Sequence, residues 1–243
     1  MEPVSMSLRL WSIFAPAATA LMLAGCGDTP PDPEGEARDN PVAAQAGAAA
    51  GEVVGPERRI LAFGDSLFAG YGLKKGEGYP AQLEAALRAR GTNARISDAG
   101  VSGDTTAAGL QRIAFVLDNE AAPPELAIVE LGGNDLLRSI PPAETRKNLK
   151  AILDILRERK IPVLLMGMRA PPNLGAAFVA EFDGIYPALA KEYDAQLVPF
   201  FQEAVYDQPQ LIQQDRIHPT AEGIAAMVAA TVGNVEQALP PVE

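Results

Sequence analysis

The feature that most constrains the fold is a regular alternation of short apolar runs with amphipathic segments, beginning at Arg58 and continuing to about residue 239. Each apolar run is only a few residues long, which is typical of a buried strand. The segments between them carry apolar residues at helical spacing, as Leu149, Ile152, Leu153 and Leu156 do. The predicted strands are 60–63, 95–97, 126–131, 162–166 and 196–200, and the predicted helices are 79–90, 105–118, 141–159, 176–193 and one from Pro219.

This order predicts an α/β protein: a three-layer α/β/α sandwich around a central five-stranded parallel sheet. Pro199 places the fifth strand at an edge, because proline cannot donate to a sheet ladder. Gly184 and Pro187 are expected to bend the fourth helix, and Pro219 to start the last one. We expect a single domain over 58–243, with functional groups at the carboxyl ends of its strands.

The amino-terminal residues read as an export signal. Residues 10–25 carry no charged side chain, and the run is too short to predict a membrane-spanning helix. The leader before it is only weakly basic, because it contains both Glu2 and Arg9. Met6 would give a more basic leader than Met1. We therefore predict a signal peptide over 1–25, with either methionine as the start.

The end of this run, Leu23-Ala24-Gly25-Cys26, resembles the lipobox of bacterial lipoproteins. The resemblance implies that Cys26 becomes the lipidated first residue of the mature chain and that its lipid tethers the protein to a membrane. It also implies a location in the bacterial cell envelope, on the periplasmic side. The resemblance does not distinguish the inner membrane from the outer membrane. The alternative is a cysteine that follows an ordinary signal peptide.

Residues 26–57 form a predicted acidic tether rich in proline, glycine and alanine, with no aromatic residue to build a core. It holds seven acidic residues and one basic residue, more than half of the chain's net charge of −11. An acidic chain of this kind argues against nucleic acid as a partner. No segment indicates an obligate protein partner.

The chain contains one histidine and one cysteine. An internal disulfide is therefore impossible, and metal sites that need two or more histidine ligands are excluded. No nucleotide-binding glycine pattern is complete, so neither a metal nor another cofactor is expected. The one histidine, His218, is then the natural candidate for proton transfer.

Polar and glycine-rich residues follow three of the predicted strands, and a fourth group surrounds His218. A serine nucleophile needs a base to accept its proton, a carboxylate to orient that base and donors for the oxyanion. The strand ends supply candidates for each requirement, including Asp215 three residues before His218. The four groups are Gly64-Asp65-Ser66-Leu67, Ser102-Gly103-Asp104-Thr105, Gly132-Gly133-Asn134-Asp135 and Asp215-Arg216-Ile217-His218.

In this order the four groups resemble the blocks of the GDSL/SGNH hydrolases, specifically the thioesterase I, lysophospholipase L1 and arylesterase group. The resemblance covers about residues 59–239 and implies a flavodoxin-like fold. It implies Ser66 as the nucleophile, His218 as the base and Asp215 as its partner. The oxyanion hole would comprise the Ser66 and Gly103 N–H groups and the Asn134 side chain.

The implied activity is hydrolysis of small-molecule carboxylic esters with aryl or short-to-medium acyl groups, and also of acyl thioesters or lysophospholipids. Relatives often carry asparagine where this chain has Asp98, a departure from which we expect little effect on the chemistry. A carbohydrate-ester deacetylase of the same superfamily and a non-catalytic binding lipoprotein stay open as alternatives. Five residues are predicted to wall the acyl pocket or merely to pack near it: Leu136, Leu137, Met168, Arg169 and Ala170.

Overall fold

The computed structural model describes residues 53–242. The predicted signal peptide, Cys26 and residues 26–52 of the predicted tether lie outside the described residues. A five-stranded parallel sheet, in the order β2-β1-β3-β4-β5, forms the centre of the described part. Its strands are β1 (Arg58–Gly64), β2 (Ala94–Gly100), β3 (Leu126–Glu130), β4 (Val163–Met166) and β5 (Gln196–Val198).

Eight α-helices surround this sheet in residues 53–242. Those longer than one or two turns coincide with the predicted helical segments. The helices are α1 (Ser66–Ala69), α2 (Tyr79–Ala89), α3 (Thr106–Asp118), α4 (Gly133–Leu137), α5 (Pro142–Glu158), α6 (Ala176–Asp183), α7 (Ile185–Tyr193) and α8 (Ala221–Ala238). None of these helices is long and apolar enough to cross a membrane.

The helices cover both faces of the sheet, which confirms the predicted three-layer α/β architecture. The α2 and α8 helices pack against each other, and α3 packs with α5, which also contacts α7. Every residue of β3 is buried, because side chains that point to either face meet a helix layer. The buried stripe of α5 contains Leu149, Ile152, Leu153 and Leu156, as its spacing predicts.

The helical segment predicted over 176–193 is two helices that meet at Gly184. Pro187 has no N–H to donate to the carbonyl of Asp183, so the hydrogen-bond ladder is interrupted there. Pro187 is tolerated because it lies in the first turn of α7, where an N–H has no partner within the helix. The β5 strand is at the sheet edge, as predicted, and ends just before Pro199.

The prediction that Pro219 starts the last helix is wrong. Thr220 is the N-cap, and its hydroxyl accepts from the Gly223 N–H at 3.1 Å, so α8 begins at Ala221. Pro219 instead forms an isolated antiparallel bridge with Ile212. The backbone N–H of Gln213 donates to the His218 carbonyl at 2.7 Å, which closes residues 213–218 into a loop.

Two further differences concern the ends of strands. Asp98, Ala99 and Gly100, expected in a loop, extend β2 in register with β1 as far as Gly64. The groups around Ser66 and Asn134, expected as loops, form the short helices α1 and α4. Helices this short give no periodic signal, and turn-forming residues fit a loop equally well.

Candidate active site

Ser66 is the first residue of α1 and lies directly behind the carboxyl end of β1. Asp65 caps this helix, because its Oδ1 accepts from the Leu67 N–H at 3.1 Å. Gly64 lets the end of β1 lie close to β3, since a Cβ there would lie 2.8 Å from the Glu130 backbone oxygen. Ser66 keeps only 9% of its surface exposed, so it is largely buried although it borders a cavity.

His218 reaches Ser66 from the loop that precedes α8. Its Nε2 lies 2.9 Å from Ser66 Oγ, and its Nδ1 lies 2.6 Å from Asp215 Oδ2. When Nδ1 carries the ring proton and donates it to Asp215, Nε2 is free to accept the Ser66 hydroxyl proton. The ring of Tyr71 lies beside the imidazole, with 4.5 Å between the two ring centroids.

Asp215 is held mainly by hydrogen bonds within its own loop. Its Oδ1 accepts from the backbone N–H groups of Ile217 at 2.9 Å and His218 at 3.0 Å. Desolvation raises the pKa of Asp215, but the hydrogen bonds from the His218 ring, His218 N–H and Ile217 N–H outweigh it and lower that pKa to about 2. Asp215 is therefore a carboxylate at neutral pH, as an orienting partner for an imidazole requires.

The three residues expected to supply oxyanion donors, Ser66, Gly103 and Asn134, border one cavity. Asn134 lies in the first turn of α4, and its Nδ2 donates to Asp65 Oδ2 at 2.9 Å. Gly103 has a positive φ of 86°, a conformation that favours glycine, and its carbonyl accepts from Arg138 Nη2 at 2.8 Å. The N–H groups of Ser66 and Gly103 donate to no other residue within 53–242. Both are therefore available to an incoming oxygen.

Asp135 fixes the helix that carries Asn134. Its fully buried carboxyl accepts from the Thr106 N–H at 2.8 Å, the Thr106 hydroxyl at 2.5 Å and the Thr145 hydroxyl at 3.1 Å. These bonds join α4 to α3 and α5, because Thr106 begins α3 and Thr145 lies in α5. Asp135 therefore orients the oxyanion side of the site without touching the cavity.

A cavity of about 820 Å³ opens in front of Ser66 and His218. Of the predicted pocket residues, Leu136, Leu137, Met168 and Arg169 line it. The prediction for Ala170 is wrong for this cavity: Ala170 is buried, its N–H donates to Asp183 Oδ1 at 2.8 Å, and it lines a smaller adjoining hollow instead. After β4, Met168, Arg169 and Pro171 thus line the cavity, whereas Ala170 does not.

Several lining residues carry no signal in the sequence. They come from the loops after α1 and β4 and from the segment between β5 and α8, and include Tyr71, Leu174, Val205, Tyr206 and Ile212. Only chain packing brings these segments to the cavity. The capping role of Asp65, by contrast, had a local signal, because an aspartate directly before a helix is a common N-cap.

Among residues 53–242, no group of three or more histidine, cysteine, aspartate or glutamate side chains could hold a metal ion. The polar groups of the predicted site that border the cavity are the Ser66 hydroxyl, the His218 imidazole, the Asn134 amide and the N–H groups of Ser66 and Gly103. Together they can attack a carbonyl carbon and stabilise the oxyanion that results.

The comparisons with known proteins agree with this geometry. Residues 62–226 match the GDSL-like lipase/acylhydrolase family. The chain is 69% identical to AlinE4, an SGNH-hydrolase family esterase, over 77% of this chain and 100% of that one, with a TM-score of 0.66. It is 37% identical to an arylesterase of Vibrio mimicus, over 70% of this chain and 86% of that protein.

Thioesterase 1/protease 1/lysophospholipase L1 of Escherichia coli is 40% identical over 67% of this chain and 76% of its own length. An acetyl-xylooligosaccharide esterase from Geobacillus is only 20% identical, with a TM-score of 0.60, so it is similar in fold alone. The chain therefore belongs to the GDSL-like lipase/acylhydrolase family.

Proposed function

We propose that this member of the GDSL-like lipase/acylhydrolase family is a serine carboxylic ester hydrolase that works through an acyl-enzyme on Ser66. The observation that carries the proposal is the continuous hydrogen-bonded series from Asp215 through His218 to Ser66, with contacts of 2.6 Å and 2.9 Å. The arylesterase and esterase relatives support the same reaction class.

In the first step, Ser66 Oγ attacks the ester carbonyl carbon while His218 Nε2 accepts the hydroxyl proton. Asp215 holds the imidazole in the tautomer that leaves Nε2 unprotonated, and it stabilises the imidazolium that forms. His218 then gives the proton to the leaving alcohol as the carbon–oxygen bond to it breaks. In the second half, His218 activates water, which attacks the acyl-enzyme and releases the acid.

The carbonyl oxygen gains negative charge as each tetrahedral intermediate forms. The backbone N–H groups of Ser66 and Gly103 and the side-chain amide of Asn134 are the donors that we assign to it. Asn134 Nδ2 carries two hydrogens, so it can donate one to Asp65 and direct the other to the substrate. Such donors act strongly because they are oriented before the reaction begins.

The cavity suits an apolar acyl or aryl group. Leu136, Met168 and Leu174 give it an apolar wall beside the reacting atoms. We infer that aryl esters and short-to-medium acyl esters are substrates, and that acyl thioesters or lysophospholipids are further candidates because the Escherichia coli relative is named for both. A carbohydrate-ester deacetylase is less favoured, because the acetyl-xylooligosaccharide esterase resembles this chain in fold alone.

A fluorophosphonate probe tests the proposal directly, because it reacts only with an activated serine. Wild-type protein should be labelled on Ser66 and should hydrolyse 4-nitrophenyl acetate and butyrate. Ser66→Ala should lose both properties, whereas Ser97→Ala, which removes a hydroxyl on β2 that donates to Glu120, should keep them. A wild-type protein that is neither labelled nor active would favour the alternative of a non-catalytic binding protein.

Substrate class is tested by a panel that varies one part of the substrate at a time. Acyl length is varied in 4-nitrophenyl esters, and the leaving group in aryl esters, acyl thioesters, lysophospholipids and acetylated xylo-oligosaccharides. We expect the highest kcat/KM for aryl or acyl esters. A preference for the acetylated sugars would overturn that expectation and leave the serine mechanism intact.

For the amino-terminal segments, we propose export, lipidation at Cys26 and a periplasmic location on a membrane surface. The support is the sequence Leu23-Ala24-Gly25-Cys26 after an uncharged run, followed by a segment rich in proline and glycine. The full chain should then be found in bacterial membrane fractions with a lipid mass on its amino-terminal peptide. Cys26→Ser should release it to the soluble fraction; an unlipidated wild-type protein would disprove the proposal.

A further inference from the structure

The mechanism leaves unused a buried carboxyl group immediately behind the site. Glu130 is the last residue of β3, pairs in register with Gly64 and is fully buried. Its Oε1 has no hydrogen-bond partner within residues 53–242. An ionised carboxylate in this position would leave that oxygen both charged and unpaired in the protein interior, which is strongly unfavourable.

Glu130 contacts Asp65, the residue that caps the nucleophile's helix. Its Oε2 accepts from the Asp65 backbone N–H at 3.2 Å, which places the Glu130 carboxyl group directly beside Asp65. Asp65 keeps only 2% of its surface exposed, so neither carboxyl group is well solvated. Two neighbouring carboxyl groups in such surroundings cannot both carry a charge at neutral pH.

The proton belongs on Glu130 rather than on Asp65. Burial raises the pKa of Glu130 well above its ordinary value, and the negative charge of Asp65 raises it further. Burial also raises the pKa of Asp65, but hydrogen bonds from the Leu67 N–H and from the Glu130, Asn134 and Ser66 side chains oppose that effect. The opposing hydrogen bonds act mainly on Asp65, so Glu130 is the carboxyl group of the two that holds a proton more readily.

Both carboxylate oxygens of Asp65 accept hydrogen bonds from groups that belong to the site. Its Oδ2 accepts from Asn134 Nδ2 at 2.9 Å, and its Oδ1 accepts from the Leu67 N–H at 3.1 Å. The first bond aims the oxyanion amide, and the second sets the turn that presents the Ser66 N–H. A shift of the Asp65 carboxylate would move two of the three proposed oxyanion donors together.

We propose that Glu130 is a positioning residue: as a neutral carboxylic acid it donates a hydrogen bond to Asp65, and through Asp65 it holds Asn134 and the Ser66 turn in the geometry that receives the oxyanion. This role rests on the proposed serine esterase function. It assigns a purpose to a buried, otherwise unpaired acid at the end of a central strand. It also explains why a strand that is otherwise apolar ends in glutamate.

Loss of the Glu130 proton would place a second negative charge behind the oxyanion hole. Four ionisable or charged groups belong to its neighbourhood. Asp65 at the β1–α1 turn acts on it directly, and Tyr186 on α7 is affected by both Glu130 and Asp135 on α4. Arg112 on α3 bonds to Gly64, the β1 residue that pairs with Glu130. The Tyr186 hydroxyl donates to the Leu131 carbonyl at 2.8 Å, and Arg112 Nη2 donates to the Gly64 carbonyl at 2.9 Å. Arg112 is the one cation of the four, and it already pairs with Asp104 at 2.6 Å.

Two variants of Glu130 distinguish a positioning role from a role in packing alone. Glu130→Gln is nearly isosteric, stays neutral and can still either donate to the Asp65 carboxylate or accept from the Asp65 N–H. Glu130→Met fills a similar volume but can do neither. We expect kcat of Glu130→Gln to stay within about threefold of wild type and that of Glu130→Met to fall by about tenfold or more, with KM little changed, since losing one whole oxyanion donor costs roughly 10²–10³-fold.

A spectroscopic readout tests the protonation state independently of activity. The infrared difference between wild type and Glu130→Gln at neutral pH should contain the C=O stretch of a protonated carboxylic acid. A carboxylate band in its place would overturn the proposal. So would a kcat for Glu130→Met equal to that of wild type, or a kcat for Glu130→Gln as low as that for Glu130→Met.

Active-site titration keeps these outcomes distinct from misfolding and from failure of the proposed function. Each kcat is divided by the fraction of protein that a fluorophosphonate labels on Ser66, so that unfolded molecules are not counted. If wild type is labelled and active but the two variants behave alike, only the positioning role fails. If wild type is not labelled, the serine esterase function itself fails.

Discussion

The two halves of the site are secured in opposite ways. On the nucleophile side, buried side chains far apart in sequence hold one another: Asn134 and Asp65 are separated by 69 residues, and Glu130 and Asp65 by 65. On the base side, Asp215 and His218 lie three residues apart in an exposed loop, and local hydrogen bonds fix them. The nucleophile side is therefore part of the core, whereas the base side is attached to its surface.

This difference indicates how sequence changes should act. A change on the base side should remove activity and leave the free energy of unfolding nearly intact, because few buried contacts depend on it. A change on the nucleophile side should alter both, because the same hydrogen bonds orient the donors and join the helices. The following substitutions test that division, beginning with the largest expected effect.

His218→Ala removes the only imidazole and should lower kcat by roughly 10⁴-fold or more, as the loss of a triad base does in other serine hydrolases. The melting temperature should change little. Steady-state kinetics and circular dichroism measure the two quantities. The double variant Ser66→Ala/His218→Ala should be no less active than either single variant, and additive losses would argue against a shared proton-transfer unit.

Asp215→Asn should lower kcat by about 10³–10⁴-fold, because an amide favours the wrong imidazole tautomer. The hydrogen-bonded Asp215 carboxylate also contributes to the stability of the fold, and that contribution depends on pH. Since the pKa of Asp215 is lowered from 3.8 to about 2, that contribution is complete above pH 3.8 and is lost as pH falls through about 2.

The melting temperatures of wild type and Asp215→Asn should therefore converge between those two pH values. Because 35% of the Asp215 side chain is exposed, solvent screens the carboxylate and the difference should be small even at neutral pH. A difference that grows as pH falls would have the wrong sign for a carboxylate with a lowered pKa.

Asn134→Ala should lower kcat by roughly 10²–10³-fold with KM little changed, because the amide acts on the transition state. It should also destabilise the fold slightly, since Asp65 Oδ2 loses its donor. The kcat, KM and melting temperature of Asn134→Ala should be compared with those of Asp215→Asn. Only Asn134→Ala is expected to lower both the activity and the stability clearly. Loss of activity of only about twofold would indicate that the backbone donors suffice.

Asp135→Asn should mainly affect stability. The variant places an amide where a buried carboxyl accepts three hydrogen bonds, and we expect a loss of about 1–3 kcal/mol in the free energy of unfolding. Urea denaturation measures this loss, with Asp215→Asn as the exposed control. An equal loss for the two variants would break the distinction between a core side and a surface side.

Much of the fold follows from local sequence patterns. The helical spacing in 141–159 and the apolar run in 126–131 reflect burial on one face or both, so they predict elements that the structure confirms as α5 and β3. Boundaries were less predictable. Pro219 suits a helix start, but the pairing of Ile212 with Pro219 prevents it, and that contact has no local signal.

The sequence likewise predicted one part of the site well and another part less well. The four blocks named Ser66, Gly103, Asn134 and His218, and the structure brings all four to one cavity. The pocket prediction was only partly right, because Met168 and Arg169 face the cavity while Ala170 does not. Which neighbour faces inward depends on the turn after β4, and glycine-rich or proline-rich segments do not specify that turn by composition.

By itself, the sequence determined the alternating α/β order and the chemical groups of the site, because periodicity and reactive side chains are properties of short segments. Only the tertiary structure decided which of those groups touch. The contacts of Glu130 with Asp65 and of Asp65 with Asn134 form when β1 and β3 lie side by side, although they are distant in the chain. The pairing of β1 with β3 thus brings Glu130, Asp65 and Asn134 into one hydrogen-bonded group beside the nucleophile.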